Sequence, residues 1–167
     1  MRREKKGGWS LIKIGLLAGL VGIVLVIAGF SAFYFDQQSR RSPLNIELFP
    51  GATDWGSSRV SSNYRNLFYR VPGVDPAIVA DYYQQQMAAF NGSSAERCVR
   101  TPPTGENPII AGFPNAIPYQ YVCLFDRSGI GASQYTRVVI YPGVYNADPN
   151  MNAENSTVIQ YEQTWQQ

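Results

Sequence analysis

Apolar positions follow two regimes along the chain. From Ile14 to Phe35 runs a stretch of 22 residues without a charge, nearly all of them apolar or small. Beyond residue 43 the apolar positions come in short runs separated by Gly, Ser, Pro and Asn. The first regime predicts a membrane-spanning helix, because 22 residues at 1.5 Å each reach about 33 Å against a hydrocarbon core of about 30 Å. A cleaved signal peptide would have an apolar region of only about 7–15 residues ending in a small-x-small site. Here the run is longer, and the best cleavage candidate, Gly29-Phe30-Ser31, is followed by more apolar residues. The expectation is therefore an uncleaved anchor, and the lack of a Cys near the start excludes a lipoprotein anchor.

The second regime predicts strands and turns around one helix. Asp75 can cap that helix, Pro76 suits its first position, and Val74 with Val79 would make a hydrophobic staple. Val79, Tyr82, Tyr83, Met87 and Phe90 recur at helical spacing until Asn91-Gly92 ends the pattern. Such a stripe is the side packed on a sheet far more often than it is a binding face. Strands are expected over Leu67–Val71, Glu96–Arg100, Tyr119–Asp126, Gln134–Tyr141 and Thr157–Trp165. Tyr119–Asp126 is apolar on both faces and reads as a central strand, whereas Thr157–Trp165 alternates as a half-exposed one. The fold class is α+β: an N-terminal transmembrane helix, then an antiparallel sheet with one helix packed across it. The expected organisation is a tail over 1–8, the transmembrane helix over 9–35, a polar linker over 36–43 and the outer domain over 44–167.

Charge sets the orientation. Five of the 14 basic residues lie within the first 13 positions, while from Asp36 onward there are nine Arg, no Lys and 11 acidic residues. The positive-inside rule then places the N-terminus in the cytoplasm and the C-terminal domain in the periplasm or outside the cell. Trp9 on one side and Phe30, Phe33, Tyr34 and Phe35 on the other fit interfacial aromatic belts. A mildly acidic outer domain with scattered Arg has no footprint for nucleic acid.

Candidate chemistry is sparse. The chain has no histidine, which removes Ser-His-Asp triads, Cys-His dyads and nearly all zinc, copper and haem sites. No catalytic residue, metal ligand or cofactor is expected. Cys98 and Cys123 are expected to form one structural disulfide, since the domain is read as extracytoplasmic. Gly129-Ile130-Gly131 lies between two strands and reads as a hairpin turn, because a phosphate loop must lead into a helix. Asp148 to Glu154 alternates oxygen side chains as calcium loops do, yet lacks the Gly and the terminal acidic residue of such loops. A polar turn explains it as well.

Two features point to partners. Gly15, Gly19, Gly22 and Gly29 fall on one helical stripe with Ala18 beside it, a groove where another membrane helix could approach closely; glycine is also simply common in membrane helices. Thr101 to Pro118 holds five prolines yet carries Ile109, Ile110, Phe113 and Ile117. These apolar residues either fold back on the domain or form a partner-binding loop that proline stiffens.

The run Leu48-Phe49-Pro50-Gly51-Ala52, the strand Leu67–Val71, Asp75-Pro76 and Val79…Tyr82-Tyr83…Met87 resemble small anchored domains of filamentous, phototroph-type bacteria. That resemblance implies a location and a fold, not a reaction. In architecture the chain is similar to accessory subunits of bacterial electron-transport complexes such as alternative complex III. The leading expectation is a non-enzymatic accessory subunit that stabilises a larger membrane complex through its helix and outer loops. The alternative is a tethered ligand-binding or sensing module that uses its many Tyr and Arg residues.

Overall fold

In the computed structural model, which describes residues 11–92, 97–106, 117–129 and 131–166, the long apolar run is one helix, α1 (Leu11–Ser39). Its side chains from Ile12 to Phe35 are all exposed, and the span Ile12–Ser39 is long and apolar enough to cross a membrane. The expected linker over 36–43 needs a correction, because its first four residues continue the helix. Asp36, Gln37 and Gln38 are polar but carry no helix breaker, and no Gly or Pro intervenes before Pro43. The Ser39 hydroxyl donates to the Asp36 carbonyl at 2.7 Å in the last turn. The chain divides into two compact units after Ser39. Residues 1–10, with Trp9, lie outside the described residues.

The second unit contains β1 (Thr53–Asp54), β2 (Arg59–Val60), β3 (Tyr64–Pro72), α2 (Pro76–Asn91), β4 (Val99–Thr101), β5 (Gln120–Asp126), β6 (Tyr135–Pro142) and β7 (Ser156–Thr164). They form one antiparallel sheet in the order β1-β3-β7-β6-β5-β4, with β2 also paired to β3. The α+β class stands. The helix forms where its caps put it: the Asp75 side chain accepts from the Ala77 amide at 2.7 Å, and Gly92 ends it at φ 65°. That left-handed conformation suits glycine, which has no Cβ to clash.

α2 lies across one face of the sheet. Val79, Tyr83 and Met87 are buried, while Tyr82 is half-buried and Phe90 sits edge-on to Phe125 at 5.7 Å. Beneath them are Val71, Cys123, Phe125, Val138, Ile140, Ile159 and Tyr161. The register explains why one face collects them, since Cys123 pairs with Val138, Val138 with Tyr161, and Tyr161 with Leu67. β7 alternates as expected, with Ile159, Tyr161 and, just past its end, Trp165 buried against half-buried Gln160, Glu162 and Thr164, and it is paired on both sides, by β3 and β6. β5 is paired on both sides as an interior strand should be, by β6 and by the short edge strand β4, while its Leu124 is 46% exposed. Local alternation reports faces, not neighbours.

Candidate functional site

The stripe on α1 is open. A Cβ added at Gly15, Gly19, Gly22 or Gly29 would meet no atom within 4 Å. At 3.6 residues per turn these positions and Ala18 share one side of the helix. A shallow depression of about 510 Å³ runs along Gly15 and Gly19 between Ile12, Leu16, Leu20 and Ile23.

Cys98 and Cys123 form a disulfide, with Cα atoms 4.2 Å apart. Val99 pairs with Val122, so the cysteines face each other one step further along the same two strands. Cys123 is fully buried, and the Cys98 amide donates to Gln84 Oε1 on α2 at 2.6 Å. The crosslink thus closes the sheet margin beneath the helix. At the stem of the proline-rich segment, the Arg100 guanidinium donates to the carbonyls of Pro102 and Gly105 and lies 4.3 Å over the Tyr119 ring. Ile117 is half-buried. Ile109, Ile110 and Phe113 lie outside the described residues.

A strap over residues 44–49 is tied to the helix-covered face by tyrosines. The Phe49 amide donates to the Tyr83 hydroxyl at 3.0 Å, Tyr83 and Tyr161 share a hydrogen bond at 2.7 Å, and Tyr161 donates to the Glu47 carbonyl at 3.2 Å. The direction is determined: Tyr161 gives its proton to Glu47, so Tyr83 donates to Tyr161 and accepts from Phe49. Both hydroxyls are satisfied. Burial pushes the Tyr83 hydroxyl up to about 12 and Tyr161 higher still. Gln86 adds two bonds to the Glu47 backbone, at 3.0 and 3.2 Å. Buried Gln163 donates to the Leu44 carbonyl and to Thr136 Oγ1, both at 2.7 Å. Neutral phenols pinned above the ordinary tyrosine range are poor acids and bases at neutral pH, so this network holds the strap in place.

Among the described residues of the second unit, no helix packs on the opposite face of the sheet. Across it runs a polar row in which Arg137 donates to Glu162 at 2.7 Å, and Gln160 donates to Glu162 at 3.0 Å and to Asn66 at 3.2 Å. Beside that row the sheet margin is interrupted. β1 and β2 both pair with β3, but between them Trp55, Gly56, Ser57 and Ser58 stand opposite only Leu67 and Phe68. Trp55 keeps one bond, from its amide to the Phe68 carbonyl at 2.9 Å, and its ring meets Phe68 edge-on at 6.4 Å. Gly56, at φ 71°, makes the sharp turn. From the other side comes the connection between β6 and β7, which doubles back tightly. A Cβ on Gly143 would overlap the Ala153 carbonyl.

Two adjoining depressions, of about 530 and 480 Å³, result; Trp55, Gly56, Ser57 and Met151 border both. The larger reaches Asp54, Arg70 and Asp148; the smaller reaches Arg59, Tyr64, Asn66, Phe68 and Tyr141. The Trp55 Nε1 atom is buried without a hydrogen-bond partner. Among the described residues the side chains of Arg59, Arg70 and Tyr141 also lack polar partners. Burial alone raises the Tyr141 hydroxyl to about 12. Of the groove residues, those of the Asp148 to Glu154 turn were singled out from the sequence, as a calcium-like loop, whereas Trp55, Gly56, Ser57, Arg59 and Arg70 were not. The signal was the isolated Gly56 between two short strand-forming runs, which marks a bulge.

The polar turn uses its own oxygens. Asp148 Oδ1 accepts from the Asn150 amide at 3.0 Å, Asn146 Oδ1 from Asp148 at 2.9 Å, and Asn152 Oδ1 from Asn146 and Glu154 at 3.2 and 3.1 Å. Among the described residues no three His, Cys, Asp or Glu side chains gather as a metal site. Gly129 bridges to Ala132 in the β5–β6 hairpin, as the turn reading expects. Comparison of the chain with models of protein families, with curated proteins and with solved structures finds no match.

Proposed function

We propose that this chain is a non-enzymatic, single-pass accessory subunit whose N-terminus is cytoplasmic and whose α+β domain lies outside. In this reading α1 holds it in a larger membrane assembly, of the electron-transport class that the architectural resemblance implies. The observation that carries the reading is the open glycine groove on a helix whose stretch from Ile14 to Phe35 holds no charge. In lipid, water expulsion contributes nothing between helices, so association depends on close backbone approach and side-chain fit. The absence of histidine supports a non-catalytic role, since the residue most used for acid–base work is missing.

The test is co-purification after gentle detergent extraction, read by native gel electrophoresis and mass spectrometry. Gly19→Leu, within the groove, or Gly22→Leu, on the same glycine stripe, keeps α1 apolar but puts a bulky side chain where a second helix would approach. Co-purifying membrane subunits should fall while the amount of chain in the membrane stays constant. Val24→Ala, outside the groove lining, should do much less. Unchanged co-purification of both leucine variants would reduce α1 to a tether. A second reading, a tethered ligand-binding module, is favoured by the groove at Trp55.

A further inference from the structure

We propose that the Trp55 groove binds a neutral oligosaccharide of at least two sugar units. This goes beyond the assembly reading and does not depend on it. The groove is built by two irregularities that a plain sheet margin would lack. The four-residue excursion at Trp55–Ser58 displaces the margin, and the Gly143 turn brings Met151 against it. Each depression is within the range of about 300–1,000 Å³ that small-ligand sites occupy.

The chemistry of the lining selects the ligand. Trp55, Phe68 and Tyr141 give flat apolar surface, which suits the C–H face of a pyranose ring. Around them stand donors and acceptors of both kinds: Arg70 and Arg59, Asp54 and Asp148, Asn66 and the Tyr141 hydroxyl. Sugar hydroxyls donate and accept, so they answer the guanidinium and the carboxylates together. A phosphate-bearing ligand would bring its charge towards Asp54 and Asp148. A proline-rich peptide offers carbonyl acceptors but few donors for those carboxylates. A purely apolar ligand would leave Arg70, Tyr141 and the Trp55 indole N–H without partners, and unpaired buried polar groups are costly. Two depressions that meet at Trp55 match two or more linked sugars with the indole between them.

The test uses the full chain in phosphatidylcholine nanodiscs, free of glycoside detergents, titrated with cello-, xylo-, malto-, manno- and chito-tetraose. Binding is read by calorimetry and by tryptophan fluorescence. At least one tetrasaccharide should bind saturably with a dissociation constant below about 1 mM. Trp55→Ala and Arg70→Ala should each weaken it about tenfold or more. Trp55→Phe, which keeps an aromatic face without the N–H, should fall between Trp55→Ala and the parent. Asp81→Asn, on the exposed side of α2, should bind as the parent does. Should any variant lose its thermal transition, Trp55→Phe and Asp81→Asn keep the comparison readable. Failure of all five sugars at about 10 mM would overturn the proposal. So would sugar binding that survives both alanine changes. Either failure leaves the glycine experiment on α1 untouched, because that experiment reads co-purification.

Discussion

The two faces of the one sheet differ at one buried atom: the helix-covered face pairs its tyrosine hydroxyls, whereas the open face, whose polar row is bonded, leaves the Trp55 indole N–H unmatched at its margin. On the face under α2, every hydroxyl in the Tyr83–Tyr161 pair is matched, and Gln163 reaches both the strap and Thr136. On the open face the margin is broken at Trp55, whose indole N–H is buried and unpaired. Folding alone favours the first arrangement, since an unmatched buried donor costs about 1–3 kcal/mol. The second is costly unless something else completes it, and unpaired groups of this kind call for an explanation. The covered face holds the domain together, and the open face is where a ligand can be met.

The largest expected effect should come from breaking the covered face. Tyr161→Ala would leave a cavity beneath the strap and strip Tyr83 and Glu47 of a partner. A loss of about 3–5 kcal/mol in denaturant unfolding is expected. An equally truncating change on the open face, Trp55→Ala, should cost distinctly less, because Trp55 is only half-buried and its N–H has no bond to lose. Equal losses at the two sites would erase the contrast between the faces.

Next in size is the disulfide. Closing a loop of this spacing is worth roughly 3 kcal/mol by chain entropy. Cys98→Ser should lower the thermal midpoint accordingly, and both thiols of the parent should resist alkylation until a reductant is added. Ready labelling of both in the non-reduced protein would contradict the structure.

A smaller effect belongs to alkaline pH. Burial raises Tyr83 from the ordinary value of 10.0 to about 12, and Tyr161 further. Above pH 10 the unfolded chain therefore loses protons that the folded chain keeps, and stability falls with rising pH. The contribution should be whole below about pH 10 and drain away as pH climbs through about 12. Tyr161→Phe should flatten that decline, as measured by urea midpoints over this interval. Tyr141→Phe on the open face should flatten it as well, since Tyr141 is raised to about 12 by burial.

Much of this was legible in the residues. Asp75, Pro76 and Gly92 mark the bounds of α2 by capping chemistry, which is local. Likewise the apolar positions of β6 and β7 mark their faces. Strand order was not legible, because pairing β7 between β3 and β6 depends on contacts far apart in the chain. Gln163 and Thr136 are polar by residue type, yet both are buried, satisfied by each other and by Leu44. The groove was hidden for the same reason: Trp55 and Met151 meet only after folding, and β1 and β2 are too short to show a period. Of the membrane stripe, the sequence shows the spacing of Gly15, Gly19, Gly22 and Gly29, and the structure adds that the groove beside Gly15 and Gly19 is open.

The contrast between the faces can be read in one experiment, hydroxyl-radical footprinting of the intact chain in nanodiscs with mass spectrometry of each aromatic residue. Tyr83 is 0% exposed, Tyr161 4% and Trp165 9%, whereas Tyr64 is 36% exposed at the groove. Tyr64 and Trp55 should be modified while the domain stays folded, and Tyr83, Tyr161 and Trp165 should stay protected until it unfolds. Modification of Tyr83 and Tyr161 at the rate of Tyr64, or protection of Trp55 equal to that of Trp165, would contradict the division of the sheet into a closed face and an open one.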